Sequence, residues 1–107
     1  MINYEGRRFH NPAADDGVIA RYHQQGDLVW AHFAGGPVRR GSVNGVVDEA
    51  GVLELAYTMV LAGGELVTGV ARSTPEHTDD GVLRLREEWE RHGPNGSTGI
   101  SYLEELR

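Results

Sequence analysis

Neither cysteine nor lysine occurs among the 107 residues. The first absence excludes disulfides, a thiolate zinc site and a cysteine nucleophile, and it leaves the redox compartment undetermined. The second leaves ten arginines as the only permanent cations, scattered along the chain against sixteen carboxylates. A net charge of -6 offers no basic stripe for phosphate neutralisation, so no nucleic-acid partner is expected. Long apolar runs are missing as well. No segment approaches the ~20 apolar residues of a spanning helix, and MINYEGRRF has none of the apolar stretch of a secretory signal. The expectation is one domain over 1–107, cytoplasmic and without a membrane partner.

Helical periodicity is also lacking. In LRLREEWERH a helix would put Leu83, Glu87 and Arg91 on one face and Leu85 and Trp89 on another, a poorer segregation than period two provides. What is abundant is glycine: 15 residues, about twice the usual ~7%, spread without a short repeat. They fall between apolar segments of period two, at roughly 4–9, 18–25, 28–34, 38–48, 52–61, 65–74, 82–91 and 98–105. AADDG, Gly26-Asp27, Gly35-Gly36, DEAG, Gly63-Gly64, PEHTDDG and HGPNGS supply the reversals. Eight hairpin-linked strands with one apolar face lose their edges by curling up. The expected fold is therefore all-β: an antiparallel up-and-down meander closing into a small barrel, with a sandwich or half-open roll as the alternative. An eight-stranded barrel can be filled by its side chains or hold one small ligand.

Two turns suggest registers. A Gly26-Asp27 turn groups Ala20, Tyr22 and Gln24 with Val29, Ala31 and Phe33 as core, leaving Arg21, His23, Trp30 and His32 outside. A two-residue Gly63-Gly64 turn sets Tyr57 opposite Val70 and Leu55 opposite Arg72, which places Arg72 on the apolar face. Pro75 is expected to end its strand. In VLRLREEW, Leu83, Leu85 and Trp89 share a face with Glu87. A lone ionised carboxylate there would be too costly, so Glu87 must be paired, protonated or wet. Arg72 is its expected partner. Tyr57, Thr68 and Ser101 complete an interior polar cluster, and Tyr22 and Trp89 count with Tyr57, Arg72 and Ser101 as ligand contacts. The same cluster could instead be an internal ion-pair network that pins the barrel shut without a ligand.

Other features carry less. His23 and His32 are expected near one another across a hairpin, with Arg21 directly facing His32, but they lack a third ligand, and no H-x-H or H-E-x-x-H pattern occurs, so no metal is expected. His10, His77 and His92 read as surface residues beside loops. GGPVRRG and GVVDEAG do not open helices, so neither is a phosphate cradle and no cofactor is expected. Ser73 has no G-x-S-x-G context to make it a nucleophile. Arg84, Arg86, Glu88 and Glu90 read as a solvated outer ladder.

The order YEGRRF, YHQQGDLVWAHFAGGPVRRGSVNG, ELVTGVARSTPE, DGVLRLREEW and GISYLEE resembles, over nearly the whole chain, a group of small actinobacterial proteins, some labelled N-acetylglutamate synthase. The resemblance implies that Tyr22, Gly26, Trp30, Gly35, Gly36, Gly41, Ser73, Pro75, Glu76, Glu87 and Trp89 belong to a shared pattern. Most of these are turn or packing residues, and Glu87 is the exception. Acetyl transfer from acetyl-CoA in its usual form requires a mixed α/β domain with a pyrophosphate loop at a helix start, and the strand pattern supplies neither. In shape the expected barrel is similar to the calycin type, whose larger members are lipocalins and fatty-acid carriers. Three functions fit these expectations. The first is a barrel binding a small, mostly apolar organic molecule through Tyr57, Arg72 and Glu87. The second is an enzyme of specialised metabolism, a cyclase or isomerase, with Glu87 as general acid or base. The third is a filled structural or interaction module, for instance a homodimer through the Trp30 side.

Overall fold

A computed structural model describes residues 2–14 and 16–107. Asp15, part of the expected AADDG reversal, lies outside the described residues. Among the described residues the chain forms eight strands: β1 (Arg8–His10), β2 (Ile19–Gln25), β3 (Leu28–Gly35), β4 (Val38–Val47), β5 (Leu53–Leu61), β6 (Leu66–His77), β7 (Leu83–Arg91) and β8 (Ser97–Leu106). Each pairs antiparallel with its neighbours in sequence, and β1 returns to β8 through Arg8–Leu106, Phe9–Glu105 and His10–Glu104, so the barrel is closed. Closure satisfies the backbone groups that an edge strand would leave open.

Alternation decides what points inward. Tyr22, Val29, Ala31, Val43, Val47, Leu53, Leu55, Leu83 and Leu85 are buried on the inner face. One end is plugged from the N-terminal side, where Tyr4, Phe9 and Tyr22 pack with ring centroids 5.1–6.3 Å apart. The Tyr4 hydroxyl donates to the Gly51 carbonyl at 2.6 Å, and its backbone N–H donates to Gln24 Oε1 at 2.9 Å. Residues 4–7 are thus a cork folded over the barrel end, whereas the sequence pattern had suggested a strand starting at residue 4.

The β2–β3 hairpin has the expected register, with Tyr22 opposite Ala31 and Arg21 opposite His32. The β5–β6 hairpin is shifted by one residue. Its reversal takes three residues, Ala62, Gly63 and Gly64; Leu61 N–H donates to the Glu65 carbonyl, and of the two glycines only Gly64 has positive φ, at 87°. This is the three-residue loop with a left-handed last position, not the two-residue turn. One residue of slip reverses the faces of β6. Tyr57 therefore faces Gly69, Leu55 faces Ala71, and Arg72 sits opposite Glu54 on the outside.

Pro75 does not end β6, which runs on to His77 and pairs Pro75 with Leu85. The β5 ladder stops at Leu53–Ser73, so beyond Ser73 the strand has only β7 as a neighbour, and a residue without an N–H is tolerated there.

Aromatic side chains on the inner face repeatedly stand over a small residue on the next strand. Phe33 lies opposite Gly41, Tyr57 opposite Gly69, and Trp89 opposite Gly99. A Cβ on Gly41 would fall 2.2 Å from the Phe33 ring, and one on Gly99 would fall 2.4 Å from the Trp89 ring. These glycines give up side-chain volume so that large rings fit within a narrow barrel.

Candidate functional site

Directly above the plugged core, three polar residues align across neighbouring strands: Ser73 on β6 faces Glu87 on β7, which faces Ser101 on β8. The next row is Leu55, Ala71, Trp89 and Gly99, and beyond it come Tyr57, Gly69 and Arg91. From these rows Glu87, Ser101, Leu55, Ala71, Trp89, Tyr57 and Arg91 line one wall of a cavity of about 280 Å³, Ser73 lying fully buried beside Glu87, and Tyr22, Phe33, Val43 and Leu103 line the rest of its depth. His10, Asn11, Ala14, Asp16 and Val18, from the end of β1 and the segment leading to β2, line it at the end away from the Tyr4 cork. Most of the lining is apolar, with a few polar groups converging at depth, the usual composition of a small-molecule pocket.

Glu87 lines this cavity, as its alternation with Leu83 and Leu85 predicts. Ser73, fully buried, donates to Glu87 Oε2 at 3.5 Å, the long limit of a hydrogen bond. No arginine or histidine among the described residues forms an ion pair with Glu87. Burial accordingly raises its pKa above the ordinary carboxyl value, and the Ser73 hydroxyl opposes this only in part. Tyr22 is pushed up strongly, first by burial and then by the Glu87 charge. Tyr57, which donates to the Glu90 carbonyl at 3.3 Å, is raised chiefly by burial, against an opposing Arg91. Both phenols therefore remain protonated and can donate. The Trp89 indole N–H donates to Ser101 Oγ at 3.0 Å, which fixes the ring and leaves the serine proton free to be given to another acceptor.

Of the residues singled out from the sequence, Tyr22, Tyr57, Glu87, Trp89 and Ser101 all line the one cavity. Arg72 does not. It points away from the lumen, more than half exposed, reaches Glu54 at 3.4 Å and lines a shallow outer groove. Thr68 is likewise exposed on the outside. The expected interior ion pair with Glu87 is absent among the described residues. An arginine–carboxylate pair does exist at the corked end, where Arg7 Nη1 contacts both Glu105 oxygens at 2.8 and 3.0 Å. Glu105 sits opposite the inward Phe9, a position that only the β1–β8 closure creates.

The sequence pattern does not mark Ser73 or His10 as site residues. Ser73 takes the inward position that the misplaced register gave to Arg72. Its place beside a loop makes His10 a surface residue by sequence, but it ends β1 at the cavity rim. His23 stacks on Trp30 at 5.5 Å and contacts Glu5 at 3.2 Å on the outer surface. On the outer wall Arg86 contacts Glu88, and Arg84 contacts Glu76 at 2.8 Å while lying 4.7 Å over the Tyr102 ring.

Comparison with known proteins agrees with this geometry. Residues 2–106 match the avidin-like protein family, and the chain belongs to that family; its closed eight-stranded barrel fits a calycin-like shape. No curated protein and no solved structure shows significant similarity to it.

Proposed function

We propose that the protein binds a small organic molecule inside the barrel, with Glu87, Ser101, Tyr22 and Tyr57 orienting it and Trp89 packing against it. The observation that carries this reading is the pair Glu87 and Ser101, backed by the buried Ser73 hydroxyl, at the depth of a largely apolar cavity of about 280 Å³. A barrel that served only as scaffold would gain more from Leu or Val at those positions. Membership of the avidin-like family supports the same conclusion, and biotin, a ligand within that family, is a natural first probe.

The test uses Trp89 as reporter. With Trp30→Phe, Trp89 is the sole tryptophan, and its emission should change on titration with a ligand that enters the cavity. A ligand at 100-fold its Kd should raise stability by about 2.7 kcal/mol. The proposal fails if native mass spectrometry finds no copurifying molecule and a broad panel, biotin included, moves neither Trp89 emission nor Tm.

A second reading, general acid–base catalysis by Glu87, is favoured by one observation: its pKa is raised within a cavity. Turnover of a bound ligand that is abolished by Glu87→Gln, with binding retained, would select it.

A further inference from the structure

We propose that the cavity selects small organic cations, specifically single-ring amines, whose ammonium group takes Glu87 as its counter-ion while the hydrocarbon body lies against the aromatic wall. This rests on the binding function proposed above and narrows it to one ligand class.

The chain provides an arginine for several of its carboxylates: Arg7 for Glu105, Arg72 for Glu54, Arg84 for Glu76 and Arg86 for Glu88. Glu87, which lies deep in the cavity, has a serine at 3.5 Å and, among the described residues, no ion-pair partner. Arg91 is the arginine that lines the cavity, four residues further along β7 and therefore about 13 Å up the strand, toward the rim. The groups facing Glu87 from the surrounding strands are neutral: Ser73 on β6, Ser101 on β8, and the phenols of Tyr22 on β2 and Tyr57 on β5. A ligand that displaces water from this site desolvates the carboxylate further, and an opposite charge brought by the ligand itself offsets that cost.

The wall suits such a guest. Tyr22, Phe33, Tyr57 and Trp89 line the cavity, and an ammonium near a desolvated aromatic face gains electrostatically. Ser101, already accepting from the indole, can turn its own proton elsewhere, and Ser73 holds the second carboxylate oxygen. A cavity of about 280 Å³ falls just under the ~300–1,000 Å³ of drug-sized pockets, so a one-ring amine suits it better than a larger one.

The probes are 2-phenylethylamine, its near-isostere 2-phenylethanol and the anion 3-phenylpropionate, titrated at pH 8 by calorimetry against the wild-type protein and Glu87→Gln. The amine should bind wild type at least about ten-fold more tightly than the alcohol, with the anion weakest. Glu87→Gln should abolish the preference, bringing the amine and alcohol affinities within about three-fold of one another. If the alcohol or the anion binds wild type as well as the amine, cation selection is refuted and small-molecule binding stands. If none of the three binds but another compound shifts Trp89 emission, the amine class is likewise refuted alone. If no compound of any class binds, both proposals fall. The wild-type comparison decides the matter even if the Gln variant does not fold.

Discussion

Replacing Glu87 by Gln should remove a pH-dependent penalty from folding. In the folded barrel the carboxyl keeps its proton above the ordinary value of 4.5, because burial disfavours the charge and no cation offsets it. In the unfolded chain the same group ionises near 4.3. Between those two pKa values the native state binds the extra proton, so stability is complete below the unfolded pKa and is lost as pH rises through the folded one. The slope in that window is at most about 1.4 kcal/mol per pH unit. Gln has nearly the same shape, still accepts from Ser73 and does not titrate. The difference in unfolding free energy, Glu87→Gln minus wild type, should therefore be smallest at pH 4. It should climb in favour of the variant as pH increases and level off above the folded pKa. Urea denaturation of both proteins at unit intervals from pH 4 to 8 measures it, and titrations shared by the two proteins cancel. A flat difference, or one that climbs in favour of wild type, would mean that Glu87 is stabilised as an anion by a positive group beside it.

Arg72→Ala should change stability by no more than about 0.5 kcal/mol, since its contact with Glu54 is exposed; a loss several times larger in urea denaturation would return Arg72 to the interior. Gly69→Ala should cost about 1–3 kcal/mol, because its Cβ would stand 2.2 Å from the Glu90 carbonyl oxygen and 2.4 Å from the Tyr57 hydroxyl, whereas Gly63→Ala, with nothing within 4 Å, serves as the near-neutral control. Tyr4→Phe should cost about 1–3 kcal/mol by thermal or urea unfolding, as the buried Gly51 carbonyl loses its donor.

The barrel was legible in the sequence because two signals coincide along it: apolar residues at alternate positions, and glycines where the chain must turn. Glu87 was legible for the same reason, since Leu83 and Leu85 fix the face of β7 whatever that strand pairs with. Its surroundings were not. They depend on the β5–β6 register, and Gly63-Gly64 fits a two-residue and a three-residue reversal equally well by composition; the Leu61–Glu65 hydrogen bond, with positive φ at Gly64 and not at Gly63, marks the three-residue loop. That single residue of slip exchanges Arg72 for Ser73 beside Glu87 and turns an expected ion pair into a carboxyl without an ion-pair partner among the described residues. The Arg7–Glu105 pair was hidden for a different reason: it joins the two ends of the chain, and no local pattern encodes the closure that brings them together.

The cork formed by Tyr4 has a kinetic consequence. On the binding reading proposed above, a vessel stoppered at its base fills from the other end, so an arriving guest and the water it expels would pass one another at the end that, among the described residues, Asn11, Asp16 and Arg91 line. Traffic in both directions then shares the same bottleneck. Changes to that threshold should speed or slow arrival and departure together, altering how long a guest stays while leaving the equilibrium affinity nearly untouched.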